Sequence, residues 1–128
     1  MTDSATRVAP LVGVVDDDES VRESLPDLLR SFGYAVHAFA SAEAFLRSES
    51  VVATECLILD IAMPGMSGPE LQRELAATGH AIPIVFITAQ GDEDARPQLL
   101  KAGAVDYLLK PFSEEALVRA VRRALSGS

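Results

Sequence analysis

The chain has 128 residues, 48% of them hydrophobic and 23% charged, which is enough for one ordinary domain with a substantial core. A formal net charge of −8 and a pI near 4.6 argue against direct nucleic-acid binding by this domain, because phosphate contacts need clustered Lys and Arg. A lone cysteine, Cys56, excludes an intramolecular disulfide and fits a reducing cytoplasm, and the longest apolar stretch, around Ile82 to Ala89, is too short to span a bilayer.

Residues 1–10 show no apolar targeting core, and residues 1–8 are expected to form a flexible tail. The first apolar run, Leu11–Val15, predicts a strand and ends in Asp16-Asp17-Asp18. A helix-period segment over Ser20–Phe32 follows, with Asp17 or Asp18 able to cap it and Gly33 as its stop. Pro26 falls inside that segment, where a proline costs roughly 3 kcal/mol and usually kinks the helix. A second strand is expected at Ala35–Phe39 and a second helix at Ala42–Ser48.

The run Cys56–Asp60 predicts a buried strand, with Cys56 as a small core hydrophobe and Asp60 at its carboxyl end. Ser67-Gly68-Pro69-Glu70 has the pattern of a capping box opening a helix over Pro69–Ala77. The fourth strand, Ile84–Thr88, leads to a helix at Ala95–Ala102. Pro97 fits its first turn if Asp94 is the N-cap, and this short helix behind a long loop is expected to be the most mobile face. The fifth strand, Asp106–Leu109, runs into Lys110-Pro111, and Ser113 with Glu114 and Glu115 opens the last helix, Glu114–Leu125. Four of the five strands lack polar alternation, as expected when helices cover both faces of a parallel sheet, so the fold class is α/β with (βα)5 order. Residues 126–128 read as a frayed C-terminus or the start of a linker.

Carboxylates at the carboxyl ends of adjacent parallel strands lie where open α/β sheets bind ligands. Asp16, Asp17 and Asp60 would then meet within a few ångström, and like charges that close need a cation. Mg2+, which takes one or two carboxylates plus phosphate oxygens, suits such a site, with Mn2+ as a substitute. Lys110 reads equally well as a structural ion pair or as a point charge for a phosphoryl oxygen, and Pro111 favours a fixed loop open to the cis form. Thr88 is either a plain strand terminus or a hydroxyl donor to the same group, and Tyr107 reads locally as a half-buried aromatic out of phase with the core-facing leucines.

The motifs Val15-Asp16-Asp17-Asp18, Leu59-Asp60-Ile61-Ala62-Met63-Pro64-Gly65-Met66-Ser67-Gly68, Ile87-Thr88-Ala89 and Lys101-Ala102-Gly103-Ala104-Val105-Asp106-Tyr107-Leu108-Leu109-Lys110-Pro111-Phe112 together resemble the receiver domain of bacterial two-component response regulators. Ser41-Ala42-Glu43-Ala44-Phe45-Leu46 and Lys101–Asp106 are similar to the FixJ-like branch. The resemblance covers residues 9–125 and implies a doubly wound, flavodoxin-like fold with a parallel five-stranded sheet in the order 2-1-3-4-5. It implies that Asp60 is the phosphoacceptor, that Asp16, Asp17, Asp60 and the backbone carbonyl of Ala62 hold Mg2+, and that Lys110 and Thr88 bind phosphoryl oxygens. Tyr107 would rotate inward as Thr88 moves, and Ala62 and Gln90 would flank the phosphate and set its lifetime. The implied donor is a sensor histidine kinase, and the chain is expected to catalyse only its own phosphorylation and slow dephosphorylation. Transcriptional output, a phosphorylation-dependent homodimer and, if the chain is a fragment, a DNA-binding effector domain in cis complete the expectation. A degenerate receiver acting as a phosphorylation-independent interaction module is the alternative. A phosphohydrolase is disfavoured, because no second catalytic acid follows Asp60 in Met63-Pro64-Gly65, and so is a flavin module, which would need a hydroxyl-rich loop after the first strand.

Overall fold

The computed structural model describes residues 9–89 and 93–126. Five strands form where the apolar runs predict them: β1 Leu11–Val15, β2 Ala35–Phe39, β3 Cys56–Asp60, β4 Ile84–Thr88 and β5 Asp106–Leu109. They pair in parallel in the order β2-β1-β3-β4-β5. Helices α1 Glu19–Ser31, α2 Ala42–Arg47, α3 Gly68–Ala77, α4 Arg96–Lys101 and α5 Glu114–Ser126 alternate with the strands. The result is the doubly wound, flavodoxin-like (βα)5 fold. Chain direction across the sheet reverses between β1 and β3, which puts the ligand crevice at the carboxyl ends of those strands.

Every residue of β3 and β4 is buried, whereas the edge strands β2 and β5 are partly open. Uninterrupted apolar runs in the central strands need cover on both faces, and two cores supply it. Phe45 of α2, Leu71 and Leu75 of α3 and Leu99 of α4 pack with Leu57, Leu59 and Phe86 of the sheet. On the opposite face, Leu25 and Leu29 of α1 and Leu117 and Val121 of α5 pack with Val14 and Ile58. Cys56 lies in the second core, as expected, and burial pushes its thiol up to about 12, so it stays a protonated hydrophobe. Among the described residues no helix is long and apolar enough to cross a membrane.

Local capping follows the sequence closely. Asp18 is the N-cap of α1 and accepts from the Ser20 backbone N–H at 2.9 Å. The Ser67 hydroxyl accepts from the Glu70 N–H at 3.3 Å and the Glu70 carboxylate accepts from the Ser67 N–H at 2.8 Å, a complete capping box. Ser113 accepts from Ala116 N–H at 3.0 Å. Gly33 and Gly103 follow α1 and α4 with φ of 95° and 111°. Pro26 does not end α1; it is buried between Leu25 and Leu29, so apolar packing offsets the lost amide bond.

Several helix boundaries differ by a residue from the sequence expectation. Ser48 leaves α2 and instead caps a short 3-10 turn over Glu49–Val52, accepting from Ser50 N–H at 3.2 Å. Asp94 is not the N-cap of α4. A 3-10 turn over Glu93–Ala95 runs straight into the helix, and Ala95 caps it in a helical conformation with no side-chain bond, so no extended residue is left for a carboxylate to cap from. The helix that results spans six residues, Arg96–Lys101, shorter at both ends than predicted. At the other end of the chain, Ser126 belongs to α5 rather than to a frayed end.

Candidate functional site

Parallel pairing brings four chain-distant residues to one edge of the sheet. Asp16 follows the last residue of β1, Asp60 ends β3, Thr88 ends β4 and Lys110 follows β5. The ladder between β4 and β5 runs one bond past the strand, with Lys110 N–H donating to the Thr88 carbonyl at 2.7 Å. The Lys110–Pro111 peptide is cis, the isomer the sequence left open. One carboxylate oxygen from each of Asp16, Asp17 and Asp60 lies within 4.8 Å of the other two.

Asp16 is the most constrained member of this group. It is 0% exposed, and Lys110 Nζ donates to its Oδ2 at 2.9 Å while the Asp18 N–H donates to its Oδ1 at 2.9 Å. Its backbone is held as well: its N–H donates to the Phe39 carbonyl and its carbonyl accepts from Arg22 Nη1 at 2.9 Å. A buried carboxylate survives in this form because both oxygens have charged or dipolar donors. Asp17 is exposed and reaches the cluster from the solvent side.

Asp60 is 7% exposed, and its surroundings disfavour ionisation. Burial, then the neighbouring Asp16 charge, push its carboxyl from the ordinary 3.8 up to about 7, while Lys110 pulls the other way. Burial weighs against the Lys110 ammonium too. Its hydrogen bond to Asp16, with the charges of Asp60, Asp16 and Asp18, outweighs that and holds its pKa above the usual lysine value. The cluster therefore carries more negative charge than one ammonium neutralises, which is the electrostatic setting for a divalent cation.

Thr88 is fully buried at the end of β4. Tyr107 is 8% exposed and packs in the same core as Leu99 and Phe86, its register partner on β4. It is therefore buried rather than half-buried, and it is more buried than Leu108 and Leu109. The reason is tertiary: on an edge strand one face is closed by α4, and Tyr107 points to that face. Ala62 is exposed in the loop after β3. Gln90 lies outside the described residues.

The loop from Ile61 to Ser67 is closed tightly. Gly68 N–H donates to the Ile61 carbonyl at 2.9 Å, and a Cβ on Gly68 would run into the carbonyl oxygen of Asp60 itself. Gly68→Ala is therefore expected to cost about 2 kcal/mol in urea denaturation, because Asp60 backbone must move to admit the methyl group. A loss under about 0.5 kcal/mol would show that the loop yields freely.

Two residues tied to this site were not singled out as functional from the sequence. Arg22 had a local signal. It lies in the first turns of α1, where a long side chain points back toward the helix N-terminus and so toward the Asp16 carbonyl. Glu43 on α2 had none: its carboxylate accepts from Met66 N–H at 2.9 Å across 23 residues of sequence.

The chain belongs to the response regulator receiver domain family, whose family model matches residues 12–122. It is 49% identical to response regulator protein TmoT of Ectopseudomonas mendocina over 90% of this chain and 52% of that protein. It is 44% identical to transcriptional regulatory protein FixJ of Azorhizobium caulinodans over 91% of this chain and 56% of that one. The low-resolution structure of response regulator StyR superposes with a TM-score of 0.86 at 50% identity, covering 93% of this chain and 60% of that chain. The chain thus spans about half the length of the curated relatives it matches. It is a receiver domain of the two-component response regulators, with relatives in the FixJ-like branch.

Proposed function

We propose that this receiver accepts a phosphoryl group from a phosphohistidine of a sensor histidine kinase onto Asp60 and switches conformation in response. The observation that carries this reading is the meeting of three carboxylates within 4.8 Å beside an ammonium bonded to one of them. An all-oxygen donor set with excess negative charge fits Mg2+, or Mn2+ in its place. Asp16, Asp17 and Asp60 would hold the ion together with the backbone carbonyl of Ala62. Bound there, it would neutralise the carboxylates and polarise phosphoryl oxygens.

The chain's own groups supply the rest. An Asp60 carboxylate oxygen attacks phosphorus in line; the new O–P bond forms as the N–P bond to the donor imidazole breaks, and the imidazole leaves with that electron pair. Lys110 balances charge on an equatorial oxygen from its place beside Asp16, and the Thr88 hydroxyl donates to another. The catalysis extends only to the chain's own phosphorylation and slow hydrolysis, so it is not an enzyme acting on a separate substrate. Added charge at Asp60 draws Thr88 and Lys110 toward it, and this differential contact shifts the population of conformers, with Tyr107 on the neighbouring strand as the reporter. The output is transcriptional control in the cytoplasm, through a homodimer formed on phosphorylation or a DNA-binding domain in cis. The name of the FixJ relative, a transcriptional regulatory protein, supports the transcriptional output.

Intact mass after incubation with a small-molecule phosphodonor tests the reading. One phosphoryl adduct is expected, dependent on Mg2+ and absent from Asp60→Asn. No adduct with any donor or metal would leave an interaction module that works unphosphorylated.

A further inference from the structure

We propose that Glu43 is a positioning residue for the metal and phosphoryl site, acting by anchoring the loop between β3 and α3 from a different helix. This rests on the phosphoacceptor reading of Asp60. The loop is short and carries the backbone carbonyl of Ala62. Its base is closed by Gly68 N–H on the Ile61 carbonyl, and its exit is fixed by the capping box of Ser67 and Glu70. Between them the tip, Gly65-Met66, is tied by the Met66 N–H donating to Glu43 Oε2 at 2.9 Å. That bond is charge-assisted and leaves the carboxylate more acidic than an ordinary glutamate. Gly65 is shaped around it: its φ is +76°, and a Cβ there would stand 2.7 Å from the same Glu43 oxygen.

The consequence for the site is geometric. A metal ligand that is a backbone carbonyl has no side chain to adjust, so its position is set by whatever fixes the loop. Glu43 reaches the loop without belonging to the acidic cluster. One of its oxygens is taken by an amide N–H, and it lies outside the group of carboxylates that meet within 4.8 Å. Its helix neighbours Ala42 and Phe45 are fully buried, which fixes the backbone from which it reaches.

The test compares wild type with Glu43→Ala, Glu43→Gln and Gly65→Ala, reading Mg2+ and Mn2+ affinity of the unphosphorylated protein by calorimetry and thermal stability separately. Glu43→Ala is expected to weaken metal binding about tenfold. Glu43→Gln, which keeps an acceptor oxygen, should restore most of the affinity. Gly65→Ala should reproduce the loss with Glu43 intact. Unchanged affinity in Glu43→Ala, with only a lower melting temperature, would overturn the proposal and leave Glu43 a structural tie. Failure of the wild type to bind either metal would overturn it together with the phosphoacceptor reading, and the wild-type trace alone tells those cases apart.

Discussion

Lys110→Ala is expected to lower stability by about 3 kcal/mol in metal-free urea denaturation at neutral pH, although the lysine lies at a strand end rather than in a core. The physical reason is Asp16. Its carboxylate is 0% exposed and relies on the Lys110 ammonium at 2.9 Å for one oxygen and the Asp18 amide for the other. Removing the ammonium leaves a buried charge without its cation, and breaking a buried pair from one side costs about 3–5 kcal/mol. The lower end applies here because the lysine side chain is 23% exposed and water enters in its place. Mg2+ should recover part of the loss, since it supplies positive charge to the same carboxylates. Lys110→Arg should keep most of the stability yet phosphorylate poorly, because a planar fork does not replace a compact ammonium. A measured loss below about 1 kcal/mol would mean that Asp16 is not held by this pair in solution.

The second large effect concerns Asp60 itself and runs opposite to the usual consequence of mutating a functional residue. With a native pKa near 7 and an ordinary value of 3.8, the folded protein binds a proton between those values that the unfolded chain does not. Stability is therefore highest below pH 3.8 as far as this group is concerned. It is lost as pH rises toward 7, and the ionised carboxylate weighs on the fold above that. Asp60→Asn removes the penalty. In chelator it should be more stable than wild type by about 2–4 kcal/mol at pH 8, with the difference vanishing near pH 4. Saturating Mg2+ should raise wild type toward the variant at pH 8 and do less for the variant. Parallel stability curves for the two proteins from pH 5 to 8 would show that neither burial nor the Asp16 charge weighs on the ionised Asp60 in the metal-free fold.

The strands were legible because the central ones carry unbroken apolar runs, and both faces of the sheet are in fact covered. Helix starts were legible where a side chain caps its own helix, as Asp18, Ser67 and Ser113 do. The same logic failed at Asp94, where a 3-10 turn feeds α4 directly and displaces the cap. Strand phase misplaced Tyr107, whose burial depends on α4 closing over one face of an edge strand.

By itself, the sequence determined which residues end each strand, and so which carboxylates, hydroxyl and ammonium a parallel sheet would bring to one edge. Strand ends are local events, written in where apolar runs stop and turns begin. Only the tertiary structure decided how those groups pair. That Asp16 rather than Asp60 takes the bond from Lys110, and that Glu43 ties the loop at the Met66 N–H, depends on groups meeting across 94 and 23 residues. Such contacts are set by the packing of whole strands and helices, and no periodicity or propensity along the chain encodes them.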